Sequence, residues 1–423
     1  MITPRYLTTF EHALIGVGDG ASDISPTEAE VLALLGTSRP GFCDRRFSAI
    51  RLAQFCGIVN LGNRLIEILP KVGFDPEPER VGRARLISLL SESGSISISE
   101  HAASSQSMAR HTLLEVFIGA FLDRVIELAR GGLRKDYVAF SEDLTVVRGR
   151  VDLQRQMTVL ADRPDIIGCH YDDLTIDAPW NRAIKSALRV VRPWIVSDDL
   201  RRRWIDSASV FDEVRDVAMD AESVERLSVD RKATRYRDVR RWVIAILRLL
   251  SPSLRAGYYE APSLLFDMNS VFQACVTRWL WRHCLHMPEV LITAEDKSHH
   301  FAKEDFEGGA VVYNIRPDIV FRRRGQVIAI ADTKWKRLGG EKGAVPELSD
   351  LYQLFGYAGA FECGSLCLVY PWHSSVGSDT NFALRLPTMG DIHPRIKVVL
   401  VDVEKRTFFG SVLDSRTSDD WSA

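Results

Sequence analysis

The chain has 423 residues, of which 46% are hydrophobic and 26% charged, the composition of an ordinary soluble globular protein with material for about two or three domains. Its net charge of −2 excludes bulk attraction to nucleic acid, so any DNA contact has to come from local basic patches. Seven cysteines without a CxxC pair exclude a zinc site of ordinary spacing and fit reduced thiols in the cytoplasm.

The opening residues lack the basic start, apolar run and small-residue cleavage site of a signal peptide. The apolar runs are too short to span a bilayer, so a cytoplasmic protein without membrane contact is expected. Residues 58–72 predict a hairpin turning at Gly62-Asn63, with Glu67 and Lys71 toward solvent. The serine-rich stretch 88–107 predicts a loop or mobile insertion.

Leu113, Leu114, Phe117, Phe121, Val125 and Leu128 recur at helical spacing, and Gly131-Gly132 ends that helix. Strand-rich residues follow through Arg150, and the pattern from Pro179 to about Leu250 is helical. Two basic-aromatic clusters fall there, Arg201-Arg202-Arg203-Trp204 and residues 231–242. Such clusters can track phosphates, or they can be solvated helix faces with the aromatics in the core; the residues leave both readings open. His283, Cys284 and His286 stand among Trp279, Leu280, Trp281 and Leu285, where packing accounts for them better than metal ligation. From about Ala256 onward helices and strands alternate, with a helix over 268–281, strands around 311–321 and 326–334, a helix over 348–361 and strands at 366–370 and 396–403. No GxxxxGK[ST] occurs, so no P-loop nucleotide site is expected.

The segment 314–337, NIRPDIVFRRRGQVIAIADTKWKR, predicts a β-hairpin turning at Arg323-Arg324-Gly325. Side chains two apart on a strand share a face, so Asp332 and Lys334 point the same way, and Asp318 on the adjoining strand can reach them. Two carboxylates at one point favour a cation between them, and hard oxygen ligands suit Mg²⁺. A lysine beside them suits a bound anion or an attacking water, which together describes phosphodiester hydrolysis. Asp318, Asp332 and Lys334 are therefore the expected catalytic residues, and Asp318 and Asp332 the metal ligands. A lone D-x-K is weak evidence. Here it follows Arg316-Pro-Asp and precedes a helix on which Gln353 and Tyr357 share a face, where they can support Lys334 or meet the DNA backbone.

The order P-D…D-x-K…Q-x-x-x-Y resembles the PD-(D/E)xK nuclease superfamily in its RecB-like form. More narrowly, the chain resembles the McrC family, nuclease subunits of McrBC modified-cytosine restriction systems. Ile66-Glu-Ile-Leu-Pro-Lys71, Arg148-Gly-Arg150, residues 172–177 with Asn181, Arg182 and Lys185, Phe266-Asp-Met-Asn269 with Phe272, Asp350-Leu-Tyr-Gln353 and Val369-Tyr-Pro371 carry the likeness along most of the chain. One departure is Gln273, where the family usually has a glutamate that can serve the metal.

The resemblance implies an α/β fold with a C-terminal restriction-endonuclease-like core around a central mixed sheet and an N-terminal mixed α+β domain. It places partner docking in 1–160 and the nuclease in 161–423, with a helical lead-in over 161–255 and the PD-(D/E)xK core over 256–423. It implies Mg²⁺, double-stranded DNA that is methylated or otherwise modified, and a hexameric McrB-like AAA+ GTPase that binds the GTP. Arg316 and Gln273 join Gln353 and Tyr357 as supporting or DNA-contact residues. The alternatives are a non-cutting activator of the AAA+ ring with a degenerate nuclease domain and a stand-alone RecB-like nuclease.

Overall fold

A computed structural model describes residues 5–20, 22–62, 64–72, 78–96, 112–228, 231–250, 262–285, 287–303, 311–338, 345–374 and 382–413. The chain divides into two compact units. One holds residues 99–264 with 59–63; the other combines 5–58, 64–98 and 265–423.

In the first unit, helix Leu113–Arg130 starts at a capping box in which Thr112 and Glu115 satisfy each other's backbone N–H groups. Helices Pro179–Val191, Asp198–Ser209 and Arg237–Leu250 also belong to this unit, as does a three-stranded antiparallel sheet of Asp136–Leu144, Ile167–Thr175 and Arg150–Val151. The central signature residues are structural here. Asn181 Nδ2 donates to the carbonyls of Arg134 and Ile176 at 2.9 and 2.7 Å, and its Oδ1 accepts from Tyr236. Asp177 pairs with Arg182 and Arg215, and Lys185 donates to the carbonyl of Phe211 at 2.9 Å. The basic-aromatic clusters are largely committed too. Arg203 binds the Gly119 carbonyl and Asp123, Trp204 donates to the Leu188 carbonyl, Arg235 binds the Gly131 carbonyl, and Trp242 is buried. Arg201, Arg202, Arg237 and Arg241 of the same clusters are exposed.

The second unit is built on a seven-stranded mixed sheet. Its order is Val290–Ala294, Ile319–Arg323, Gln326–Thr333, Ser365–Pro371, Arg395–Asp402 and Phe382–Arg385, with Thr407–Phe409 also paired to Arg395–Asp402. The turn between the second and third strands has Arg324 and Gly325 at φ 51° and 84°, the two positive values that a tight antiparallel hairpin turn requires. Gln326–Thr333 and Ser365–Pro371 run parallel, so both are apolar on two faces. Helix Leu348–Phe361 covers one face. Leu354, Ala358 and Phe361 pack there with Val320, Ile330, Leu366, Leu368 and Val398, and each fully buried large side chain contributes about 1.5–3 kcal/mol.

The same unit holds the parallel strand pair Arg5–Phe10 and Arg64–Leu69, with residues 55–58 beside Arg64–Leu69. The strands on either side of Gly62 are neighbours, as a hairpin predicts. Glu67 departs from expectation: it is buried, because Arg83 on helix Glu79–Ser93 grips both its carboxylate oxygens at 2.7 Å. That helix also takes in residues 88–93 of the predicted serine-rich loop, since Leu86, Ile87, Leu89 and Leu90 bury one side of it; residues 97–107 lie outside the described ones. Val311–Asn314 pairs with His300–Lys303 in a separate two-stranded sheet and does not continue into Ile319–Arg323.

The division of the chain also differs from breaks at 160 and 255. Residues 5–58 and 64–98 belong with 265–423, and specific contacts join them. Cys275 Sγ donates to the Leu89 carbonyl, Arg278 to the Glu92 carbonyl, and Arg85 pairs with Glu404 at 2.8 Å.

A further tie is Glu11, which is 3% exposed. Its carboxylate accepts from the backbone N–H of Lys71 at 2.8 Å and from the Trp335 indole at 2.9 and 3.0 Å. Burial outweighs these donors and pushes its pKa up to about 7. The folded state then holds this proton more tightly than the unfolded chain does, so its contribution is complete below about pH 4.5 and is lost as pH rises through about 7. Glu11→Gln is expected to remove this slope. Between pH 5 and 8 the unfolding midpoint of wild type should fall more than that of the variant, by the equivalent of roughly 3 kcal/mol, followed by thermal or urea unfolding.

Candidate functional site

Strand Gln326–Thr333 runs apolar through Ala329, Ile330 and Ala331, all buried, and ends on Asp332 and Thr333. Ile319 pairs with Ala331 in the antiparallel hairpin, so one step outward sets Asp318 across from Asp332. Asp318 stands just before its strand and not within it, and its Oδ2 accepts from the backbone N–H and hydroxyl of Thr333 at 2.7 and 2.6 Å. On the other side, Asp332 and Thr333 pair in parallel with Leu368 and Val369, and the Lys334 N–H donates to the Val369 carbonyl.

Period-two alternation then brings Asp332 and Lys334 together as expected: Lys334 Nζ lies 2.7 Å from Asp332 Oδ2. Gln353, on the helix, accepts from Lys334 Nζ at 2.7 Å and donates Nε2 to Asp332 Oδ1 at 3.3 Å and to the Tyr357 hydroxyl at 2.7 Å. Tyr357 is buried and donates to the Arg316 carbonyl at 3.3 Å. Tyr357 therefore supports the Lys334 network and is not a DNA-facing residue. Arg316 takes part through its backbone, while its guanidinium pairs with Glu295.

The electrostatics follow from burial. Asp332 is 2% exposed, and loss of water together with the charge of Asp318 raises its pKa to about 7. Asp318 is pushed up by its own burial, against the Thr333 donors and Lys334. The phenol of Tyr357 is pushed up as well, by burial and then by Asp332.

Asp332 Oδ2 is buried and, among the described residues, receives no hydrogen bond of good geometry, while the Lys334 ammonium stands 2.7 Å from it. These atoms open on a cavity of about 370 Å³ lined by Asn269, Gln273, Asp318, Asp332, Lys334 and Gln353, among others. Gln273, from helix Met268–His283, thus does line the same cavity as both carboxylates, as a neutral amide. Asp318 and Asp332 are the pair able to hold a hard cation, with water completing its shell. Among the described residues no group of three or more His, Cys, Asp or Glu is arranged around one point.

Two neighbours join those expected at the site. Asp350, in the first turn of helix Leu348–Phe361, is buried against Lys336 at 2.9 Å, the Tyr370 hydroxyl at 2.8 Å and, farther off, Lys334 at 3.8 Å. The alternation that links Asp332 to Lys334 extends to Lys336, and Asp350 precedes Gln353 by nearly one helical turn, so a signal for both was present. Glu11, which fixes Trp335, carries no local signal, because its partner is 324 residues away.

The chain matches the family described as McrBC 5-methylcytosine restriction system component over residues 50–371. No curated protein matches it. Among solved structures it resembles a chain of the half-complex from a tetradecameric assembly of Thermococcus gammatolerans McrB AAA+ hexamers with bound McrC, with a TM-score of 0.71, 18% identity and 97% of each chain covered. It also resembles a chain of the cryo-EM structure of the Thermococcus gammatolerans McrBC complex, with a TM-score of 0.50, 20% identity, 66% of this chain and 87% of the other covered. At these identities the likeness is one of fold. The family match spans most of the chain and agrees with the McrC resemblance of its motifs: the chain belongs to the McrBC 5-methylcytosine restriction system component family.

Proposed function

We propose that this chain is the DNA-cutting subunit of a GTP-dependent, modification-dependent restriction system, a Mg²⁺-dependent endonuclease with a PD-(D/E)xK core. The observation that carries the reading is the meeting of Asp318, Asp332 and Lys334 at the end of one hairpin, with Lys334 Nζ 2.7 Å from Asp332. Asp318 and Asp332 would hold the metal, which when bound polarises the phosphate and lowers the pKa of a bound water. Lys334 presents an ammonium to the phosphate or to the attacking water, and charge developing on the phosphate oxygens is offset there. Gln353 keeps that ammonium beside Asp332, and the Tyr357–Arg316 hydrogen bond keeps Gln353 in place.

The chain carries no P-loop, so GTP belongs to a partner. The resembled assembly, described as McrB AAA+ hexamers with bound McrC, supports an AAA+ GTPase ring as that partner. The first unit offers a surface for it: Tyr137, Val146, Val147, Leu153, Met157 and Val159 are all more than half exposed. All six fall within the 1–160 region expected to dock. Gln273 favours a second reading, a ring activator that no longer cuts, because an amide cannot supply a third carboxylate.

The two readings separate on methylated plasmid with Mg²⁺, GTP and the AAA+ partner. Asp332→Ala is expected to lower cleavage at least about a thousandfold and to leave GTPase stimulation intact. If wild type does not cut while GTP hydrolysis still rises on mixing, the activator reading replaces the nuclease. Metal binding is checked without turnover: Mg²⁺ should raise the unfolding midpoint of wild type and EDTA reverse it, with no such response in Asp332→Ala. For docking, Val147→Lys with Met157→Lys should abolish GTPase stimulation while circular dichroism stays that of wild type.

A further inference from the structure

A second cavity, of about 540 Å³, shares Trp335 and Lys336 with the first. Its walls bring together side chains from distant parts of the sequence: His12, Arg51, Lys71 and Arg337, with Glu11 as the one acid. Burial holds the Glu11 carboxyl at a pKa of about 7, so near neutrality much of it is uncharged. The amine of Lys336 is held by Glu347 and Asp350. Arg51 is exposed on strand Ala49–Leu52, and Lys71 is half-exposed. The imidazole of His12 feels the resulting field. Burial and then Arg337 and Arg51 lower its proton affinity.

A pocket this cationic suits an anion. Its position says which one. Lys334 and Arg337 are three residues apart, at most about 11 Å along the backbone. The two cavities adjoin at Trp335 and Lys336, so a strand whose phosphate reaches Asp318 and Asp332 can lay a nearby phosphate here, its backbone advancing about 3.4 Å along the helix axis per nucleotide.

We propose that the cavity seats a backbone phosphate of the DNA strand being cut, one to three nucleotides from the scissile phosphate, with Arg51 and Lys71 as its donors. This rests on the nuclease reading above. The site is sequence-independent, because phosphate contacts set register and do not read bases.

The test compares wild type with Arg51→Gln/Lys71→Gln, each as the full chain with its AAA+ partner, cutting methylated plasmid across a range of salt concentrations. The double variant should lose about tenfold or more in kcat/KM, through KM, and the log–log salt dependence should become shallower by about 1–2. Arg51→Lys/Lys71→Arg, which keeps both charges, should restore both readouts. Stimulation of the partner's GTPase serves as the control for folding. Unchanged kcat/KM and salt dependence in the double variant would overturn the proposal and leave the nuclease standing. A loss of cutting with unaltered salt dependence and no rescue by the charge-keeping variant would assign these residues to packing, and also overturns it. If wild type itself does not cut, the nuclease reading fails first and this inference falls with it.

Discussion

Asp332 sits at the end of a central strand, almost wholly out of water, with a second carboxylate facing it across a hairpin. An arrangement of this kind is unfavourable unless positive charge or a proton compensates it. Without metal the compensation comes from Lys334 and from a pKa raised to about 7. The surrounding contacts keep that compensation in place. Gln353 bonds both members of the ion pair, Tyr357 bonds Gln353, and the Arg316 carbonyl bonds Tyr357. Each link leaves fewer positions open to the lysine, and a pre-set ammonium is what electrostatic assistance to phosphate chemistry requires.

The five residues from Asp332 to Lys336 distribute their side chains by strand alternation even where the strand is ending. Asp332, Lys334 and Lys336 turn to helix Leu348–Phe361 and meet Gln353 and Asp350. Between them Thr333 bonds to Asp318 and Trp335 to Glu11. One short segment is thereby held from three directions: by its hairpin partner, by the helix that follows it and by the N-terminal part of the chain. The third tie helps to make residues 5–58, 64–98 and 265–423 one compact unit although 166 residues, 99–264, lie between the last two segments.

Local chemistry made part of this legible in the sequence. Asp318, Asp332 and Lys334 follow from an apolar run ending in D-x-K, and Gln353 with Tyr357 from a spacing of four on a helix. Period and spacing alone carry such information. Glu67 was misread as solvent-facing because its burial depends on Arg83, sixteen residues away on a helix whose serines disguised it. The compact units were missed for the same reason. Division of the chain is decided by contacts such as Arg85 with Glu404, which leave no mark on either neighbourhood. In the basic clusters of the first unit the run of charge does not say which arginines are committed: Arg203 and Arg235 end on backbone carbonyls, while Arg201, Arg202, Arg237 and Arg241 are exposed.

Gln273 is best understood through the charge balance of its cavity. Asp350 is answered by Lys336 and the Tyr370 hydroxyl, and Asp332 by Lys334. Asp318 is left with the dipoles of Thr333. With both aspartates ionised, the metal-free site would carry about one negative charge in excess. A glutamate at 273 would make that two, in a place where Asp332 already resists ionisation. The amide keeps an acceptor in the cavity and leaves the metal-free protein less repelled by its own carboxylates. In the proposed nuclease it would also weaken the pull on a divalent cation, so that Asp318, Asp332 and the DNA phosphate itself would have to complete the coordination.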